Sequence, residues 1–374
     1  MKNIKIIDLI ERNSKSGRRI DGILQRVCSK MSDQIHTDRI RGAEELQQRL
    51  EDMDQCRGSA IITVISLDQY GWNPELDRML HLCRQNPHAY DQSVGAVIVD
   101  GEGETYTKSV AQSIILAMNQ SGCTFPGGPI VEATGSLYNF SVSAMNGSCS
   151  LQEAYQAAVQ KLLGRMVEFG CLSGLYELLK SHQAERGRKI LCVHASKHVT
   201  SNTLGLWELV KEKLDPSIEI KEISLENGSI QDCKGCPFQV CSHFGMQNSC
   251  YYGGAIVEEV YPALEECDTL ILLCPNYNDS VSANIMAFIN RLTALYRKRQ
   301  FYDKQFYAII VSGYSGGDLV ARQLISALNI NKTFILPARF SMIETAHFPG
   351  DYRKIPDLEE KLEDFSSKIG HFFE

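Results

Sequence analysis

Two stretches of this sequence place residue types that can do chemistry close together. Between Ser196 and Thr203 the chain reads SKHVTSNT, a loop of hydroxyls and amides flanked by the apolar run Ile190 to His194 and the helical pattern LGLWELVKEKL. A strand, a loop and a helix start in that order deliver unpaired backbone N–H groups to one point. The helix terminus adds partial positive charge, so such a loop can hold a phosphate. The plainer alternative is that Ser201 or Asn202 only caps the helix. Neither G-x-x-x-x-G-K-S/T nor G-x-G-x-x-G is present, which argues against a nucleoside triphosphate or a dinucleotide and for one terminal phosphate.

The second stretch is Cys233-x2-Cys236-x4-Cys241-x8-Cys250. Four thiolates in one loop are the inventory for a [4Fe-4S] cluster or a tetrahedral zinc. Zinc sites usually show two close pairs, and only Cys233 and Cys236 are close. A third reading leaves the four as free thiols lining a pocket, with Cys233 and Cys236 redox-active.

Two further loops follow apolar runs. The strand pattern TLILLCP leads into PNYNDSVSAN, Pro275 to Asn284, and FYAIIVSG leads into SGYSGGD, Ser312 to Asp318. Pro275, Asn276, Tyr277 and Asn278 can form a flat, partly apolar seat with amide groups at its edge, and Ser280 adds a hydroxyl. Ser312, Gly313, Tyr314 and Gly316 belong to a loop whose glycines let the backbone approach a flat ring. Met342, Glu344 and His347 come after the last expected strand, TFILPA, and border the same place, although a lone histidine in such a loop is more often a surface residue.

ASKHVTSNT at Ala195 to Thr203 resembles the G-S-x-R-x-x-x-N-T phosphate loop of the NADPH-dependent FMN reductase family, with Ala195 in place of glycine and His198 in place of arginine. PNYNDSVSAN resembles that family's P-x-Y-x-x-S-x-S-A segment. The resemblance implies a flavodoxin-like, doubly wound five-stranded parallel sheet. It also implies FMN held by Ser196, His198, Ser201, Asn202 and Thr203 and seated on the two later loops. NAD(P)H is then the hydride donor, and a small molecule or a redox protein the acceptor, with no catalytic side chain because the flavin carries the chemistry. Iron-sulfur flavoproteins are similar to this family and carry a compact four-cysteine motif at the same place; the wider spacing here keeps the thiol reading open. An electron carrier of that type serving a protein partner is the alternative function, and a flavin-binding sensor that does not turn over is a third.

The elements that must position these loops read as α/β. Residues 188–374 alternate strands and helices as one FMN-binding flavodoxin-like domain, and residues 58–180 read as a degenerate, related α/β domain. Residues 1–57 read as a helical extension through IKIIDLIERN, IDGILQRVCSKM and RGAEELQQRLEDM. Tyr90-Asp91-Gln92 with AVIVDG at Ala96 to Gly101 reappears as Tyr302-Asp303-Lys304 with AIIVSG at Ala308 to Gly313, and a helix follows each. This is an internal duplication with a period too long for a solenoid. The first copy shows no counterpart of the Lys189 strand, the phosphate loop or the cysteines. Relatives often complete a flavin site with a neighbouring subunit, so the first domain is expected to act as a built-in pseudo-partner, with a homodimer as a further expectation.

Composition limits the other classes. The chain has 374 residues, is 44% hydrophobic and 22% charged, and carries a formal net charge of −7. An acidic chain of this kind is not a sequence-independent nucleic-acid binder, and no apolar run reaches membrane-spanning length. An odd count of 13 cysteines, without a leader-like N-terminus, points to reduced thiols and the cytoplasm.

Overall fold

A computed structural model describes residues 2–52, 55–183, 188–196, 200–225 and 230–371. The chain divides into two compact units, Met1–Leu178 and Leu179–Glu374. Each is an α/β unit around one five-stranded parallel sheet. Among the described residues no helix is long and apolar enough to cross a membrane.

The first unit runs β1 (Lys2–Leu9), α1 (Lys15–Lys30), β2 (Ile35–Arg41), α2 (Gly42–Glu51), β3 (Ala60–Leu67), α3 (Leu76–Gln85), β4 (Val94–Gly101), α4 (Thr107–Gln120) and β5 (Ile130–Ala133). The helices α5 (Ser141–Gly147), α6 (Leu151–Phe169) and α7 (Leu172–Gln183) follow. Its sheet order is β2-β1-β3-β4-β5. Every residue of β3 and β4 is buried, as expected of strands covered on both faces by crossover helices. The long α6 starts on a capping box between Ser150 and Glu153.

Residues 1–57 are not the expected helical extension: β1 and β2 belong to the sheet, and β1 is an interior strand paired with β2 and β3. The run IKIIDLI satisfies both helical and strand spacing, and a doubly buried strand has no alternation to betray it. The missed β2 is an edge strand whose surface is half polar. The first unit also contains a counterpart of the Lys189 strand, against expectation: β1 pairs with β3 as β6 pairs with β8.

The second unit runs β6 (Lys189–His194), α8 (Asn202–Lys213), β7 (Glu219–Ser224), α9 (Phe238–Gly245), α10 (Tyr261–Glu266), β8 (Thr269–Pro275), α11 (Ala283–Lys298), β9 (Gln305–Ser312), α12 (Gly317–Leu324), β10 (Ser341–Thr345) and α13 (Leu358–His371). Its order, β7-β6-β8-β9-β10, repeats that of the first unit and is flavodoxin-like. TFILPA, expected as the fifth strand, forms only isolated bridges at Ile335 and Leu336, that of Ile335 being to Gln305, and SMIET forms the strand instead. Buried apolar side chains at Phe334, Ile335 and Leu336 make TFILPA look like a strand, while left-handed backbone at Thr333 and Arg339 bends it out of line. Met342 and Glu344 therefore lie in the last strand rather than after it.

The two sheets agree in detail, which supports duplication. The Gly95 N–H donates to the Thr124 carbonyl as the Phe306 N–H does to Ile335, and Val97 N–H to Pro129 as Ala308 N–H does to Phe340. Val97 is thus the equivalent of Ala308, so the alignment of Ala96 with Ala308 is one residue out of step. A single-residue slip is invisible in a strand of uniform Val, Ile and Ala.

Candidate functional site

The carboxyl ends of β6, β8 and β9 open into a cavity of about 350 Å3 in the second unit. On one side stand Ser196, Thr200, Ser201, Asn202 and Thr203. Ser201 caps α8, its Oγ accepting the Leu204 N–H at 3.2 Å, and lies 2.7 Å from Thr203 Oγ1. Ser196 Oγ is 3.5 Å from the same Thr203 hydroxyl. Three hydroxyls therefore gather at the N-terminus of a twelve-residue helix, whose first-turn N–H groups have no partner within the helix. The cap made by Ser201 leaves the Ser196 and Thr203 hydroxyls at the cavity, so capping and an anion-holding role are geometrically compatible. His198 lies outside the described residues.

Asn202 does something the sequence did not reveal. Its Nδ2 donates to the carbonyls of Ala346 at 3.2 Å and Phe348 at 3.0 Å, and its Oδ1 accepts the Gly350 N–H at 3.0 Å. Its side chain holds the segment carrying Ala346 and His347, both of which line the cavity.

The opposite wall is Pro275, Asn276, Tyr277, Val311 and Gly313. Asn276 donates through Nδ2 to Ser315 O at 2.9 Å and contacts Ser312 Oγ at 3.1 Å, which fixes its amide plane. Asn276 Oδ1 is then a buried acceptor with no donor among the described residues, a group that a ligand N–H can satisfy. Tyr277 is half exposed and forms a narrow turn with Ser280, each N–H donating to the other's carbonyl.

Five predicted residues support this wall without lining the cavity. Asn278 takes left-handed backbone in the turn. Ser280 exchanges hydrogen bonds with Gln323. Ser312 is buried beneath Asn276. Tyr314 is exposed and leans on His347, ring centroids 4.7 Å apart. Gly316 has φ +85°, and a Cβ there would stand 1.9 Å from Asp279 Oδ1. Val311 and Ala346 are apolar lining residues with no chemical signal to mark them in advance.

Beneath the hydroxyl side lies a buried polar chain. The Ser196 N–H donates to His194 Nδ1 at 3.4 Å, and His194 Nε2 faces Glu222 at 3.7 Å. Glu222 also accepts from Trp207 Nε1 at 2.9 Å and Lys211 Nζ at 3.2 Å. The His194 contact above all, then Trp207 and Lys211, pull its carboxyl from the ordinary 4.5 to about 2, against the opposing effect of burial.

The four cysteines converge on a different cavity, of about 230 Å3, which Arg291, Ala294 and Arg297 of α11 also line. Gly245 of α9 makes the approach possible, since a Cβ there would fall 2.1 Å from the Ala294 carbonyl. Among the described residues no three His, Cys, Asp or Glu side chains are gathered tightly enough for a single metal ion. A mononuclear zinc therefore does not fit. A four-iron cluster asks for less, because each thiolate binds a different iron and the four stand correspondingly further apart.

Residues 188–348 match the family model described as NADPH-dependent FMN reductase. No curated protein sequence matches the chain. Among solved structures, RosB with a bound 8-demethyl-8-formylriboflavin-5'-phosphate intermediate is 10% identical, with a TM-score of 0.38 over 50% of this chain and 78% of that one. An NAD(P)H:quinone oxidoreductase from Methanothermobacter marburgensis is 13% identical, TM-score 0.38, over 50% of this chain and 98% of its own. An FMN-dependent NADH-azoreductase from Bacillus anthracis in complex with FMN is 12% identical, TM-score 0.35, over 49% and 99%. Over residues 188–348, from β6 through β10, the chain is thus similar to the NADPH-dependent FMN reductase family.

Proposed function

We propose that the second unit binds FMN and works as an NAD(P)H-dependent oxidoreductase toward a small-molecule acceptor or a redox protein. The observation that carries this reading is one cavity with two unlike walls: three hydroxyls at a helix N-terminus facing a flat seat with an orphaned amide acceptor. The first wall suits a terminal phosphate and the second a planar heterocycle with an N–H at its edge. FMN, when bound, accepts a hydride and returns its electrons to an acceptor.

The chain's own residues then have defined tasks. Ser196, Ser201 and Thr203 donate hydroxyl hydrogens to the phosphate, and the α8 terminus offsets its charge. Asn276 Oδ1 orients the ring edge, and Pro275 with Gly313 lets the ring lie against the backbone. The polar chain through His194 and Glu222 holds the Ser196 N–H in place. Titration of the apoprotein with FMN and with riboflavin tests this: FMN is expected to bind at least tenfold tighter, with steady NAD(P)H oxidation once a quinone is added. Equal affinity for the two flavins, or no turnover with the flavin bound, would remove the assignment.

A second site is favoured by the convergence of Cys233, Cys236, Cys241 and Cys250 on one cavity. We infer that these thiolates hold a four-iron cluster, which supplies one-electron transfer when present. The helix α11 begins at the flavin-seat loop and reaches Arg291 about 12 Å further on at 1.5 Å per residue. Anaerobic purification with iron and sulfide analysis tests it; an iron-free protein with flavin bands alone would leave only the flavin site.

A further inference from the structure

We infer that Arg291 is a positioning residue of the cysteine cavity, closing the cysteine segment and donating an N–H to the sulfur of the cluster held there. The inference rests on the cluster reading above. Arg291 is only 3% exposed. Its guanidinium bridges the two ends of the cysteine segment: one terminal nitrogen donates to Gly253 O at 2.7 Å and the other to Gln231 O at 3.4 Å. Those carbonyls bracket all four cysteines, so one side chain fixes the mouth of the loop. Its own backbone is anchored too, since the Tyr261 hydroxyl donates to the Arg291 carbonyl at 2.5 Å.

The third donor tells more. Arg291 Nε is buried and has no acceptor among the described residues. A buried cationic N–H left unpaired is costly, and native proteins rarely leave one without a purpose. Among the described residues no carboxylate lines this cavity, whereas Lys234 and Arg297 do line it, Arg297 being stacked over the Phe238 ring at 4.6 Å. Lys332 adds to the same excess, its Nζ donating at 3.0 Å to the hydroxyl of Thr293, a lining residue. One carboxylate, Asp232, stands at the edge, accepting the Cys233 N–H at 2.6 Å and Asn290 Nδ2 at 3.0 Å, so among the described residues the cations here outnumber it, and an anionic group held by the thiolates would balance them.

A four-thiolate cluster supplies that negative charge and sulfur acceptors. A hydrogen bond from Nε–H to cluster sulfur favours the more reduced, more negative state and raises its potential. Charge alone would act similarly from Arg297 at the rim, so the two contributions need separate variants.

The experiment compares the anaerobically purified protein with R291K, R291Q and R297Q. It reads iron and sulfide per chain, iron loss to a chelator, and the cluster's midpoint potential by EPR-monitored titration. R291K retains the charge but loses the Nε donor and the two-carbonyl bridge. It is expected to show a lower potential and iron loss at least severalfold faster, with R291Q further in the same direction and R297Q shifted less. Bound FMN and far-UV circular dichroism establish that each variant is folded, and if R291K does not fold, R291Q carries the comparison. Iron in the unmodified protein with unchanged potential and iron retention in the Arg291 variants would overturn the role of Arg291. An unmodified protein without iron would overturn the cluster reading itself.

Discussion

Glu102 Oε1 accepts the backbone N–H of Lys15 at 2.6 Å. Lys15 opens α1, the first unit's equivalent of α8, and the register of β4 on β9 makes Glu102 the counterpart of Gly313 at the cavity of the second unit. One copy keeps the rim position bare and the other fills it with its own carboxylate. The loop before α1 is also pulled tight, with the Glu11 carbonyl where a Cβ on Gly17 would be, 2.0 Å away. A helix N-terminus that attracts anions is thus answered from within the fold.

Glu102→Ala is therefore expected to cost about 0.3–1 kcal/mol in urea denaturation, the range for a carboxylate at an exposed helix N-terminus. The flavin content is expected to stay at one FMN per chain before and after the change, because the tight loop still leaves no space. A ratio of two in either protein would show that the first unit retains a working phosphate site.

At the second unit's helix start, Ser201 serves both the fold and the ligand. Ser201→Ala removes the cap on Leu204 and a donor beside Thr203. Loss of about 1 kcal/mol of stability is expected from the cap. A rise of about tenfold in the FMN dissociation constant follows from one charge-assisted hydrogen bond. Fluorescence titration reads the second effect, and an unchanged constant would mean that the phosphate sits elsewhere.

Much of this architecture is legible in the sequence because the central strands are uninterrupted apolar runs ending in polar loops. AIITVISL, VGAVIVDG, TLILLCP and FYAIIVSG each become a strand. The failures share a cause. IKIIDLI fits two periods, and helical spacing masks β1, whereas IHTDRIR and SMIET are edge strands too polar to signal β2 and β10. The cavity was legible by loop, less so by atom: residue type placed Asn202 beside it, but only the fold shows the side chain turned to Ala346, Phe348 and Gly350.

Gly316 is expected to tolerate no side chain. Its φ of +85° is strained for any L-residue, and an added Cβ would stand 1.9 Å from Asp279 Oδ1. Gly316→Ala should cost roughly 1–3 kcal/mol. The double variant Gly316→Ala with Asp279→Ala relieves the clash and leaves the backbone strain, so it should recover part of the loss. Full recovery in the double variant would mean that φ contributes nothing.

Glu222 links acid stability to the phosphate loop. Its carboxyl is drawn from the ordinary 4.5 to about 2 in the fold, first by His194. A depressed carboxylate stabilises the protein above its unfolded value, and the contribution is lost as the pH falls through the folded value. The affected window is therefore pH 4.5 down to 2, with an upper bound of roughly 3 kcal/mol at 1.36 kcal/mol per unit. Glu222→Gln should lower stability at neutral pH and flatten the decline across that window. A decline as steep as the parent's would place the acid sensitivity on other groups.

The two readings of Asn202 make opposite predictions for a pair of ligands. If its amide met the phosphate, Asn202→Ala would weaken FMN binding and leave riboflavin untouched. The structure instead commits that amide to three backbone groups of the segment that carries Ala346 and His347. Removing it strands two carbonyls and one N–H, a loss of roughly 2–3 kcal/mol in stability, and frees the wall against which either flavin would lie. Asn202→Ala is accordingly expected to weaken FMN and riboflavin by similar factors, about tenfold for 1.4 kcal/mol of lost wall contact. Asn202→Asp keeps an acceptor for the Gly350 N–H but sets a negative charge beside the hydroxyl cluster, so it should weaken FMN more than riboflavin. Calorimetric titration of the two variants with both ligands separates these cases, and a riboflavin affinity unmoved by Asn202→Ala would return Asn202 to the phosphate.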